Sequence, residues 1–203
     1  MPSPRVFLLS PAHLGGERAR ILLRDEARFD LANRVREGGA PVGEIFAFLS
    51  GLYFRGKLHY AAAFAASPRP DVAPAYVITS NRGLCTIDAR FDRRQLAELG
   101  TVDIDARNDA YRKPLARDAR KLAKKIGDAE VVLLGSIAST KYIEVLEEIF
   151  GERLVFPIDF VGRGDMSRGS LMLRAARAGV ELPYVAVADV LGDKLQKCRA
   201  RSS

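Results

Sequence analysis

Short apolar runs punctuate the chain: RVFLL at 5–9, AYVIT at 75–79, EVVLL at 130–134, LVF at 154–156 and YVAV at 184–187. Their length and branched or aromatic content predict strands at all of these but 154–156, which is only a brief apolar run. Between them the apolar positions change to three- and four-residue spacing, which puts them on one face of a helix. Phe29, Ala32 and Val35 form one such set, closed by Gly38 and Gly39, and Val42, Ile45, Phe46 and Leu49 form the next, opened by Pro41. After Gly51 the spacing predicts a buried stripe at Leu58, Ala61, Ala62 and Ala65, with Tyr53, Arg55, Lys57, His59 and Tyr60 scattered around it. Pro114, acceptable at a first helical position, is expected to open a helix lined by Leu115, Ala119, Leu122, Ala123 and Ile126. Two more follow, through Ile143, Leu146, Ile149 and Phe150, and through Leu171, Leu173, Ala175 and Ala176 to Gly179.

Strands that alternate with helices predict an α/β fold: a mostly parallel sheet, Rossmann-like, with helices on both faces, because parallel strands need long crossovers. No polar or Pro/Ser-rich tract divides the 203 residues, so one domain over 1–203 is expected, with 193–203 a basic flexible tail. In such a sheet ligands bind beyond the carboxyl ends of the strands. That directs attention to the loops after the three best strands. The first carries Ser10, His13, Gly15, Gly16 and Arg18, the second Ser80, Asn81, Arg82 and Gly83, and the third Gly135, Ser136, Thr140 and Lys141. None matches the G-x-G-x-x-G or G-K-[ST] phosphate-binding spacings.

The stretch FPIDFVGRGDMSRGSLMLR at 156–174 sets Arg163, Asp165, Ser167 and Arg168 among Gly162, Gly164 and Gly169, directly before a helical pattern. Glycine permits close backbone approach, a helix start offers free N–H groups to an anion, and a guanidinium makes bidentate bonds to phosphate or carboxylate. Arg163 and Arg168 are therefore the expected anion holders. The alternatives are an ion pair with Asp165 or a helix cap made by the Asp165 carboxylate. His13 and Asp165 are the candidate acid or base groups, and no Ser-His-Asp arrangement or metal site is indicated. No cofactor is identifiable.

Charge adds a second possibility. Thirty-two Lys and Arg against 25 Asp and Glu give a net charge of +7, which favours anionic partners. Lys113, Arg117, Arg120, Lys121, Lys124 and Lys125 crowd the polar face of one helix, a candidate surface for DNA or RNA phosphates. Cys85 and Cys198 stand in no metal or disulfide pattern, so a reducing cytoplasm is expected. No apolar stretch approaches the roughly 20 residues that span a bilayer, and no membrane partner is expected.

Ser10-Pro11-Ala12 at the end of the first strand, Tyr53 and Gly56 in LYFRGKLHY, and Ser80, Gly83 and Leu84 in the second strand-end turn carry a resemblance. They resemble motifs of bacterial domains related to the peroxide-stress-response proteins, over about the first 90 residues. The proline-tyrosine segment of that group is not evident in CTIDARFD, and GRGDMSRG has no counterpart in it. The resemblance implies an α/β fold and an association with nucleic acid or nucleobase chemistry. The expected function is binding of a phosphorylated small molecule, a nucleotide or nucleoside derivative, oriented by Ser10, Ser80, Asn81 and Ser136. Any reaction would be glycosidic-bond cleavage or group transfer on a nucleoside. Nucleic-acid binding without catalysis is the alternative.

Overall fold

A computed structural model describes residues 4–137 and 141–192. Thr140 of the third strand-end loop, Cys198 and the tail at 193–203 lie outside the described residues. The first half runs β1 (Arg5–Leu9), α1 (Glu17–Leu23), α2 (Asp30–Glu37), β2 (Ala40–Pro41), α3 (Val42–Ser50), α4 (Leu52–Phe64), β3 (Ala75–Ile78) and β4 (Leu84–Thr86). The second runs β5 (Arg90–Phe91), α5 (Arg93–Gly100), α6 (Asp109–Ile126), β6 (Glu130–Leu134), α7 (Ile143–Phe150), β7 (Leu154–Pro157), α8 (Asp165–Ala178) and β8 (Tyr184–Ala186).

The fold is α/β, with a mostly parallel sheet flanked by helices. The sheet order is β4-β3-β1-β6-β7-β8. The four inner strands are parallel, and β4 and β8 close the edges antiparallel. Both faces of the middle strands are covered, which is why β1 and β6 read as unbroken apolar runs: Val6 to Leu9 and Val131 to Leu134 are all fully buried. α4 packs on α8 and α3, and α6 packs on α7. Among the described residues no helix is long and apolar enough to cross a membrane.

The helices depart from expectation at four places. α6 starts at Asp109, capped by the Asn108 side chain accepting from the Ala110 amide at 3.1 Å, so Pro114 lies inside the helix and does not open it. α5 is an added element: Asp92 and Gln95 bond each other's backbone amides in a reciprocal cap. α8 starts at Asp165, so the second half of the glycine-arginine stretch is helical. In α4 the buried face is Tyr53, Phe54, Gly56, Lys57, Tyr60 and Ala61, while Ala62 is exposed and Leu58 is partly buried. The stripe is turned because α8 lies against that side of the helix, and two glycines let the backbones meet. A Cβ on Gly169 would stand 2.8 Å from the Leu52 carbonyl oxygen, and one on Gly56 would stand 2.7 Å from that of Gly169.

Candidate functional site

The parallel strands run β3-β1-β6-β7, so the chain leaves β1 for one side of the sheet and then returns to build the other. Neighbouring strand-end loops diverge where that reversal occurs, here between β1 and β6, and open a crevice. A cavity of about 270 Å³ lies at this point, lined by Ser10, Pro11, Ala12 and His13 after β1 and by Ser136, Lys141 and Tyr142 after β6, and completed by Ser50, Tyr53, Ile104 and Asp165. A second hollow of about 550 Å³ shares Ala12, His13, Ile104 and Lys141 with it, so the two form one cleft.

The floor of the cleft is assembled by close approach. Gly135 ends β6 beside Ser10, and a Cβ there would stand 2.8 Å from Ser10 Cβ and from the Tyr142 hydroxyl. Any larger residue would push the two strand ends apart. Tyr142 Oη donates to the Ser136 carbonyl at 2.8 Å, and burial raises its pKa. Beneath Ser10 lies Lys57, 1% exposed, with Nζ donating to Ser10 Oγ at 2.7 Å and to the Ser10 carbonyl at 3.0 Å. The same Nζ stands 4.0 Å from the centre of the Tyr53 ring. No ion pair to Lys57 is formed among the described residues, and burial pulls its pKa down to about 7, only partly opposed by Asp165. Tyr53 Oη is also buried, with no hydrogen-bond partner of sound geometry among the described residues. The nearby Arg168 guanidinium lowers the Tyr53 pKa somewhat, but burial dominates and raises it.

The sequence candidates divide. Ser10, His13, Ser136 and Asp165 come together in the cleft, joined by Lys141. Ser80 reaches only its outer hollow, and its hydroxyl donates to the Leu99 carbonyl at 2.5 Å. Asn81 Nδ2 bonds the Glu98 carbonyl at 3.1 Å, and Arg82 pairs with the Glu98 carboxylate at 3.0 Å. These side chains secure the carboxyl end of α5, whose last carbonyls have no partner in the helix. Arg18 donates to the Phe48 carbonyl at 3.1 Å, in a different groove.

The two arginines of the glycine-rich stretch do not line the cleft. Arg163 is exposed and bonds the Asp159 carbonyl at 2.8 Å and Ser167 Oγ at 3.2 Å. Arg168 borders a separate hollow of about 70 Å³ with Gly135, Phe156, Phe160 and Gly162. Its side chain is 12% exposed, donates to the Phe160 carbonyl at 3.1 Å and lies 3.5 Å from Asp165. The α8 cap is Gly164, and no side chain bonds there, so Asp165 does not cap the helix. Arg168→Lys is expected to lower stability by about 1–2 kcal/mol through the lost planar contacts. Arg163→Lys should stay within about 0.5 kcal/mol of the unaltered protein, as exposed positions usually do. Urea midpoints measure both, and equal midpoints would assign Arg168 to the surface instead.

On the polar face of α6, Lys113 pairs with Asp109, Arg117 with Asp118, Arg120 with Glu148 and Lys125 with Asp71. Lys121 and Lys124 form no ion pair among the described residues. The positive charge that the sequence places on this face is thus largely offset by carboxylates. Comparison with protein-family models, with curated proteins and with solved structures finds no match.

Lys57 is the residue that sequence reasoning missed. It was assigned to the polar surroundings of the α4 stripe, and it is the most deeply buried charged group of the described chain. A signal was available: Lys57 falls four residues after Tyr53 and three before Tyr60, on the face those aromatic residues share.

Proposed function

We propose that the cleft between the β1 and β6 strand ends binds a phosphorylated small molecule of nucleotide type. The observation that carries this reading is the position of the cleft at the reversal point of the sheet, with Lys141 and His13 in its lining. Lys141 and His13 sit where the two hollows join, a place for a phosphate group. Ser10 stands beside them on the phosphate side, Ser50 and Ser136 present polar side chains to a sugar or base edge, and Pro11, Ile104 and the Tyr53 ring offer apolar surface. The resemblance at Ser10-Pro11-Ala12, Tyr53 and Gly56 agrees with the same ligand class. The arginines of 156–174 have no part in it. Nucleic-acid binding draws less support, because the basic side chains of α6 are mostly paired.

Thermal melting with nucleoside mono- and diphosphates and sugar phosphates tests this reading. A ligand at a hundred times its Kd should add about 2.7 kcal/mol of stability. Lys141→Ala is expected to weaken the shift. Tyr53→Phe should leave the shift in place while stabilising the free protein, since a buried unsatisfied hydroxyl costs about 1–3 kcal/mol. Melting temperatures unmoved by every phosphorylated compound would sink the proposal.

A further inference from the structure

We infer that Ser10 and Lys57 form a nucleophile and base pair, and that the cleft transfers the phosphoryl group of its ligand to water through a Ser10 phosphoester. The inference deepens the nucleotide-binding proposal and rests on it for the ligand class.

Three observations lead there. Ser10 Oγ lies on the cleft wall, and the atom 2.7 Å behind it is the Nζ of a lysine sealed from solvent by the same serine. Ser10 also directly follows the central strand, with its amide donating to the Leu134 carbonyl of β6 at 3.1 Å, so the hydroxyl is held next to a rigid element as a reacting group must be. Finally, the surroundings of Lys57 favour a neutral amine. Asp165 and Arg168 of α8 oppose one another in their effect on it, no carboxylate among the described residues bonds it, and the aromatic rings of Tyr53 and Phe54 lie against it. A neutral amine donates one N–H to the Ser10 carbonyl and turns its lone pair to the Ser10 hydroxyl proton across the same short distance. A lysine that merely sealed the strand end would work equally well as an ammonium.

The step balances with water as the second reactant. The Ser10 proton passes to Lys57 Nζ as Oγ bonds phosphorus, and the ester or anhydride oxygen, in line on the far side of phosphorus, leaves with the bonding pair and takes a proton from water. Water then attacks the Ser10 phosphoester from that same far side, releasing a proton to solvent, and Oγ departs and recovers the proton held by Nζ. The net change is hydrolysis of one phosphoryl bond. Lys141, on the opposite wall, offsets charge on the transferred group. Serine activated by an adjacent lysine is a chemically sound base-assisted nucleophile.

A small dialkyl fluorophosphonate reports on this directly, since it presents phosphorus to Oγ and loses fluoride. Peptide mass spectrometry should place one label on Ser10, absent in Ser10→Ala. The labelling rate should rise about tenfold between pH 6 and 8 as Lys57 loses its proton. Lys57→Met should slow it at least 100-fold while remaining folded by circular dichroism. Should that variant fail to fold, the pH profile of the unaltered chain decides alone. A folded protein with no label on Ser10, a rate flat across this pH range, or an unchanged rate in Lys57→Met overturns the pair. Melting shifts with nucleoside monophosphates, measured on the same samples, read the binding proposal separately. Shifts without labelling would leave binding standing and remove the chemistry. Labelling without shifts would leave the pair standing and remove the nucleotide.

Discussion

Lys57→Met is expected to lose a rise in stability that the unaltered protein shows between about pH 7.5 and 9. The sign follows from proton binding. In the unfolded chain Lys57 keeps its proton up to its ordinary value near 10.5, whereas in the fold it releases it at about 7. The unfolded state thus binds more protons across that interval, and stability increases with pH. The penalty is fully present below pH 7 and relieved by pH 10.5. At 1.36 kcal/mol per pH unit, the difference between the two proteins should grow by on the order of 2 kcal/mol from pH 7.5 to 9. Above pH 10 a counter-trend enters, because burial raises the pKa values of Tyr53, Tyr60 and Tyr111 and the unfolded state sheds those protons first. That trend is common to both proteins and cancels in their difference. Urea unfolding at the two pH values measures the effect, and parallel stability curves would show that Lys57 stays charged.

Gly169→Ala should be strongly damaging for a single added methyl group. On an exposed helix the exchange would gain about 1 kcal/mol from helix propensity. Here the new Cβ meets the Leu52 carbonyl oxygen at 2.8 Å and Tyr53 Cα at 2.9 Å. Both are backbone atoms of a packed helix, unable to turn aside as a side chain would. Overpacking of this kind costs about 1–3 kcal/mol, and with no flexible neighbour the steric cost wins. The net loss should be about 2 kcal/mol, and α8 must move away from α4, carrying Asp165 with it. Gly164→Ala is the control, since nothing lies within 4 Å of a Cβ at that position. Matching urea midpoints for the two variants would contradict the tight crossing.

Strands were the most legible part of this chain, because β1, β3, β6 and β7 are buried on both faces and announce themselves as unbroken apolar runs. The edge strand β4 was not legible: Leu84, Cys85 and Thr86 are each half-buried and make no run. α5 was signalled by Asp92 and Gln95 at capping-box spacing, a pattern the apolar periodicity does not weigh. The lining of the cleft was half legible. Ser10, His13, Ser136 and Asp165 were named from strand ends and glycine neighbours. Ser80, Asn81 and Arg82 were named on the same grounds, yet they hold the end of a helix whose presence had not been recognised. What decided between the loops was strand order, and order is set by long-range pairing that no local pattern encodes. In the stretch 156–174 glycine density has a structural source as well: Gly169 serves helix packing and Gly162 a turn at φ +74°.

The tyrosine hydroxyl at the far end of α4 has a consequence for how the molecule opens. Tyr60 Oη accepts the buried Leu182 amide at 2.8 Å and shares a hydrogen bond with Tyr184 Oη at 2.7 Å, while Tyr184 donates to Glu181 at 2.8 Å. The Leu182 amide therefore finds its acceptor on a helix far away in sequence, outside any ladder of its own. Its hydrogen exchanges with solvent only when the segment leading into β8 parts from α4. The exchange rate of that one amide is a clock for the release of the sheet edge, set by the same helix that carries Lys57 at the cleft.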